Sequence, residues 1–165
     1  MLLEFLQRYC EESGRTLCIA CSCKERNFSY EYQFLLQQIR VPKVRLVPND
    51  DNNFSSYRAM DMANVTVTIN STIGFEGISR GNKVLFCNFS EDKYFDVPSG
   101  YSEGPWALRD PSGDYEKFAA TLKSLENMHQ EQWRAASRKM SEYFVSPEHS
   151  SSTVRILNEE VYRVI

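Results

Sequence analysis

Histidine is almost absent from this 165-residue chain, His129 and His149 being the only two. Neither stands beside the polar turns that follow the apolar runs, which excludes a Ser–His or Cys–His dyad there. The chain has no Walker lysine pattern, and no Gly-x-Gly-x-x-Gly follows its first apolar run, so two common nucleotide-binding loops are excluded. No basic run exceeds a pair and the net charge is −3, so the electrostatic footprint of a nucleic-acid binder is missing. No Asp-x-Asp motif calls for a metal ion. Asp50, Asp51 and Asp61 make no recognisable acid/base pair with Glu76, and the catalytic residues stay unassigned. No apolar segment approaches the roughly 20 residues that span a bilayer. The opening, Met1 to Arg8, is amphipathic, with no basic region ahead of a continuous apolar core, and the expected location is the cytoplasm.

What is present is the make-up of an ordinary folded domain. The chain is 42% hydrophobic and 25% charged, at a length that builds one domain with a proper core. Of five cysteines, Cys18, Cys21 and Cys23 share one apolar run. Strand alternation sends Cys21 and Cys23 to one face and Cys18 to the other, which opposes the convergence a tetrahedral zinc site needs. Buried free thiols in a reducing compartment are expected instead. Asn-x-Ser/Thr sequons stand at Asn27, Asn53, Asn64, Asn70 and Asn88. They read as incidental in a chain that does not meet the glycosylation machinery.

The hydrophobic pattern alternates between two periods. Leu2, Leu3, Leu6 and Tyr9 have helical spacing, closed by Ser13-Gly14. A strand is expected at 16–22, a helix at 28–40, a strand at 44–47 and a helix at 54–62 capped by Ser55 or Asn53. A strand at 65–69, a helix at 72–80 and a strand at 83–88 follow. Right-handed crossovers turn such an alternation into a parallel sheet of four or more strands, covered by helices on both faces. The strands read as near-continuous apolar runs, as strands buried on both faces should. An irregular aromatic stretch from Phe89 to Pro111 is long enough to be functional. Helices at 114–127, 129–143 and 152–163 close the chain. The expectation is one α/β, Rossmann-like three-layer domain: helix 1–14, a βαβ core over 15–90, a loop over 91–112 and C-terminal helices over 113–165.

In a parallel sheet the residues beyond the strand C-termini share one edge, where ligands dock. Here these are Ser22, Cys23 and Lys24; Pro48 and Asn49; Asn70, Ser71 and Thr72; and Asn88 to Ser90. The segment Val65-Thr-Val-Thr-Ile-Asn-Ser71-Thr-Ile-Gly74-Phe-Glu76-Gly-Ile-Ser-Arg-Gly81-Asn-Lys-Val-Leu-Phe86 is the most informative. It reads as strand, turn, helix, glycine stop and strand. The first N–H groups of the new helix have no internal partners and attract an anion. Ser71 and Thr72 add hydroxyls, Gly74 lets a ligand approach the backbone, and Lys24 supplies a point charge. The same residues have a structural account. Ser71 is then an N-cap, Gly74 serves tight helix–strand packing, Glu76 is solvated and Lys24 is an ordinary loop lysine.

Ser55-Ser-Tyr-Arg-Ala-Met-Asp61, followed by the Val65–Phe86 segment with its Ser-Thr-x-Gly-x-Glu block, resembles the donor-binding half of GT-B-type glycosyltransferases. The likeness is to those of bacterial capsule, O-antigen and lipopolysaccharide biosynthesis, Kdo-transferase-like proteins included. It continues through Ser22-Cys-Lys24, Glu31 and Tyr32, then Glu103-Gly-Pro-Trp106 and the terminal helices. The resemblance implies a nucleotide-activated sugar, such as CMP-Kdo or a UDP- or GDP-sugar, as substrate, with no further cofactor. Ser22, Lys24, Ser71, Thr72 and Gly74 would lie near its phosphate, Asn70 would also bind the donor, and Glu76 would bind a hydroxyl of the ribose or sugar. A loop carrying Glu103, Gly104 and Trp106 would cover it. The GT-B pattern has two such domains, and this chain matches only the second. The resemblance therefore implies a separate N-terminal domain or partner subunit, membrane association through that partner, and an isolated chain that binds without turnover. Exposed Phe5, Phe54, Tyr94, Phe95, Tyr101 and Trp106 would mark the missing partner. A non-catalytic interaction module or remnant of such an enzyme, and a flavodoxin-like small-ligand domain, are the alternatives.

Overall fold

The amphipathic pattern at the N-terminus forms helix α1, Leu2–Ser13, and Gly14 ends it in the left-handed region at φ 69°, a conformation that costs glycine nothing. A computed structural model describes residues 1–22, 30–50 and 54–144. The expected helix at 152–163 and residues Cys23, Lys24, Asn27 and Asn53 lie outside them. After α1 come β1 (Leu17–Ala20), α2 (Tyr30–Gln38), β2 (Val44–Val47) and α3 (Ser55–Met62). Then follow β3 (Thr66–Thr68), α4 (Thr72–Ser79), β4 (Val84–Asn88), β5 (Ala107–Arg109), α5 (Tyr115–Asn127) and α6 (Gln130–Phe144).

All strand pairs are parallel, but they form two ladders. β1 pairs with β2, while β4 lies between β3 and β5. One sheet of four or more strands is therefore not formed among the described residues: no ladder joins β1 to β3. The stretch from Phe89 to Pro111 is also more ordered than its composition predicts. It holds a 3-10 turn at Lys93–Phe95 and the short strand β5, whose Ala107 aligns with Phe86 and Arg109 with Asn88.

Around the larger sheet the layers follow from strand alternation. Val84 and Phe86 face α4, where Gly77 and Gly74 let the helix approach them, and Phe75 stacks on Phe86 at 4.5 Å. The helix α6 lies beside α4, with Phe144 4.3 Å from Phe75. On the other side, Phe89 continues the alternation of Leu85 and Cys87 and meets Phe5 of α1 at 5.4 Å and Phe118 of α5 at 6.2 Å. α1 and α5 are joined at their polar margins as well. The Tyr9 hydroxyl donates to Glu126 at 3.0 Å and the Tyr115 hydroxyl to Glu12 at 2.5 Å, while Arg8 sits 3.7 Å above the Tyr115 ring. Burial and the Glu126 contact push the Tyr9 phenol up to about 12.

Two helix ends near this core show how its polar groups are satisfied. Asp114 caps α5 by accepting from the N–H groups of Glu116 at 2.9 Å and Lys117 at 3.3 Å, a standard use of a carboxylate against a helix N-terminus. At the other end Lys83 donates to the carbonyls of Glu126 at 3.0 Å and Met128 at 2.5 Å, a cation on the last carbonyls of α5. At α3 the expected Ser55 cap is not seen, and Asn53 lies outside the described residues. Phe54 occupies the N-cap position with positive φ, and the Ser55 hydroxyl instead accepts from the N–H of Asp50 at 2.9 Å. Among the thiols Cys10, Cys21 and Cys87 are buried, but Cys18 is exposed on the outer face of β1, contrary to the expectation of buried cysteines throughout.

Candidate functional site

The parallel ladder β3–β4–β5 sets the residues after each strand on one edge, so Asn70 to Thr72, Phe89 to Ser90 and Asp110 are neighbours there by topology. Ser71 takes the N-cap position of α4 with φ −69° and ψ 138°, yet its side chain makes no capping hydrogen bond. Ser71, Thr72 and Asn70 are all exposed. The N–H of Gly74 donates to the Ser71 carbonyl at 3.0 Å, tightening the first turn. The outcome is a helix N-terminus directly after a strand whose hydroxyls are unspent.

Gly74 has a different duty. A Cβ on it would stand 2.8 Å from the Phe86 ring and 2.9 Å from Thr68 Cγ2, so its bare Cα is what lets α4 sit on the sheet. Its open face is turned into the core. Glu76 is half-buried on the α3 side of α4 and accepts a hydrogen bond from the Tyr57 hydroxyl. That bond, followed by burial, raises the Tyr57 pKa. Beside it Arg80 pairs with Asp61, lies 5.6 Å over the Tyr57 ring, and shares Asp61 with the Asn82 amide at 3.0 Å. Glu76 thus belongs to a polar seam between α3 and α4.

Ser22, at the end of β1, is also engaged. Its N–H donates to Glu31 Oε1 at 3.2 Å and its hydroxyl to Oε2 at 2.5 Å. Asn49, after β2, donates to the Ser22 carbonyl at 3.3 Å. The likeness that singled out Ser22 and Glu31 therefore falls on residues that touch. Lys24 lies outside the described residues.

The segment expected to cover the edge is anchored rather than free. Trp106 is buried, donates its indole N–H to the Tyr101 carbonyl at 2.6 Å and meets Trp133 edge-on at 6.3 Å. Gly104 is where that ring folds back: a Cβ there would come within 2.1 Å of it. Trp106 is thus core and not an exposed partner face, and Phe5 likewise packs into the aromatic cluster, whereas Phe54, Tyr94 and Glu103 are exposed.

Sequence reasoning missed Arg109 and Asp96. The buried Asn88 amide donates to Asp96 at 2.7 Å and to the Asp92 carbonyl at 2.9 Å, and its oxygen accepts from Ser90 N–H and hydroxyl at 2.9 and 2.8 Å. Arg109 Nε donates to the same Asp96 oxygen at 3.1 Å and its other nitrogen to the Glu91 carbonyl at 3.2 Å. The cavity beside them measures about 50 Å³, room for water and far below the ~300 Å³ at which ligand pockets begin. Ligand binding at this edge would be on an open surface. The signal for Arg109 was the short apolar run Trp106-Ala-Leu108 between Pro105 and Pro111, which marks a strand ending in a cation.

A family model described as "putative O-antigen biosynthesis protein" matches residues 1–160. No curated protein and no solved structure matches the chain.

Proposed function

Because the chain belongs to this O-antigen biosynthesis family, we propose that it is the donor-binding, Rossmann-like half of a GT-B-type glycosyltransferase that builds bacterial surface polysaccharide. The observation that carries the reading is Ser71: it holds the N-cap position, is exposed, and does not spend its hydroxyl on capping. Together with Thr72 and the first N–H groups of α4 it offers donors to the phosphates of a nucleotide-activated sugar, of which CMP-Kdo and UDP- or GDP-sugars are the candidates. Asn70 adds an amide, Lys24 and Arg109 add charge, and the Glu76 oxygen not held by Tyr57 accepts from a sugar or ribose hydroxyl with charge assistance. Such a donor lies on an open edge, so an N-terminal domain or partner subunit completes the cleft and supplies the acceptor. The isolated chain then binds without transfer, in the cytoplasm, at the membrane only through its partner.

A thermal-shift panel with CMP, UDP, GDP and ADP tests the reading. A ligand at about one hundred times its dissociation constant adds roughly 2.7 kcal/mol. The expected result is a shift with one nucleotide that Ser71→Ala removes while leaving the ligand-free midpoint in place. A shift that Ser71→Ala leaves intact would overturn it.

One observation favours an interaction module instead. The helix α2 exposes Tyr30 (87%), Phe34 (45%) and Leu36 (51%), with the first two rings stacked at 6.3 Å, an apolar face of the kind that marks protein contacts. Retention of a partner on the wild-type chain and its loss in Tyr30→Ser/Phe34→Ser, with no nucleotide shift, would select that reading.

A further inference from the structure

The C-terminal end of α4 and the middle of α6 border a second, open concavity of about 340 Å³, lined by Ile78, Ser79, Arg80, Gly81, Arg134, Ser137, Arg138 and Ser141. That volume falls within the ~300–1,000 Å³ range of small-ligand sites. Helical spacing explains the lining: residues 134, 137, 138 and 141 recur at three and four and share one face of α6. The surrounding groups are hydrogen-bond donors. Ser137 is 2% exposed, and its hydroxyl makes no hydrogen bond among the described residues. The Ser137 oxygen is not one of the fully enclosed unpartnered atoms, so it opens onto the concavity and is free to donate to a group bound there.

The charges point the same way. Arg134 lies against Gly81, where a Cβ would be 3.6 Å from its Nε, and forms no ion pair among the described residues. Arg80 and Arg138 pair with Asp61 and with Glu142 (2.7 Å), and these pairs are solvent-exposed. Exposed pairs of this kind are worth little and exchange readily for a better anion. The Gly81 carbonyl, which would oppose an anion, is already occupied by the Gln130 amide at 2.6 Å.

We infer that this groove binds a phosphate or diphosphate group, through the Arg134, Arg80 and Arg138 guanidinium forks with the Ser137 hydroxyl as a further donor. Guanidinium forks match the oxygens of such a group bidentately. The site is separate from the donor edge, since Ser71 and Gly81 stand at opposite ends of α4. It therefore stands whether or not a nucleotide binds at Ser71.

Isothermal titration of the full chain with inorganic phosphate and with diphosphate, against chloride at equal ionic strength, is the test. Binding is expected to weaken by about tenfold or more in Arg134→Ala, the loss of one charge-assisted contact. It should weaken less in Ser137→Ala, whose thermal midpoint should not fall, because no internal bond is removed. Co-sedimentation with phosphatidylcholine vesicles carrying phosphatidic acid, lost in Arg134→Ala, would assign the phosphate to a lipid headgroup. Titration without co-sedimentation assigns it to a soluble ester. Heat no greater than the chloride control, or affinity indifferent to both Arg134→Ala and Ser137→Ala, overturns the proposal.

Discussion

All five residues of β4 are buried, between β3 and β5 and beneath α4, whereas β1, paired among the described residues only with β2, leaves Cys18 and Ala20 exposed. The first region closes around a continuous cluster in which Phe5, Tyr9, Phe89, Tyr115 and Phe118 meet in edge-to-face and tilted contacts, and Trp106 meets Trp133. The second is built on Cys10, Leu17 and Val41, with α2 presenting Tyr30, Phe34 and Leu36 outward. Both use the same strand–helix alternation. The difference lies in how many neighbours each strand finds, and it divides stability from availability. In the dense half Asp114 and Lys83 satisfy helix ends, while the Thr66 hydroxyl and the Trp133 indole N–H are buried without a partner among the described residues and the α4 N-terminus keeps exposed hydroxyls.

The largest test of that contrast is Phe118→Ala. Phe118 is fully buried among four rings, so a loss of about 3–5 kcal/mol is expected in urea unfolding. Leu35→Ala in α2 should cost about 2 kcal/mol, the low end for such a truncation. Equal losses would break the comparison.

Next is the approach of α4 to its sheet. Gly74→Ala must displace the buried Phe86 ring, stacked on Phe75, and should cost about 1–3 kcal/mol. Gly77→Ala presses first on Met60, whose Sδ would be 2.5 Å away. A flexible thioether yields, and the helix gains back part of the difference between glycine and alanine. A smaller loss is expected there, read from the same denaturation curves.

A smaller effect is set by pH. The Asp110 carboxylate accepts from the Ser112 hydroxyl at 2.7 Å and the Asp114 N–H at 2.6 Å, with Lys117 at 3.6 Å. These bonds, Ser112 first, hold it below the usual carboxylate range. A lowered folded pKa means that the folded state releases the proton more readily than the unfolded chain. The stabilisation is complete above the unfolded value of about 4 and disappears as pH falls through the lowered one. The stability gap between wild type and Asp110→Asn should accordingly narrow on acidification, and a gap that widens would contradict the assignment.

The smallest disturbance is a thiol-labelling series. Burial pushes Cys87 up to about 12, so at neutral pH it should react with a maleimide only when the chain is unfolded. Burial raises the Cys18 thiol as well, but its exposure should let it react in the native state ahead of Cys87, and Cys18→Ser should remove that event.

Much of the fold could be read before any coordinates. Gly14 closes α1, Val44–Val47 is a strand, and α4, β4, α5 and α6 begin and end within a residue or so of the positions set by their periodicity. For β5 the only signal was the short apolar run ending at Leu108, too short to carry a period, and the strand forms through its pairing with β4. Splitting of the sheet was equally hidden, since apolar runs reveal strands but not which strands exchange hydrogen bonds. For the candidate site, Ser71 and Thr72 were visible as polar residues after a strand. Their unspent hydroxyls were not, nor was the engagement of Ser22 by Glu31 and of Glu76 by Tyr57.

By itself the sequence determined the α/β alternation, the helix ends and the polar turn after β3, because periodicity, caps and backbone preferences act within a few residues along the chain. Tertiary structure alone decided that Gly74 serves Phe86, that Trp106 is core, and that three arginines and the buried Ser137 line one groove. Those outcomes depend on contacts between segments far apart in sequence, which only the packing of α4 and α6 and the pairing of β4 with β5 bring within reach.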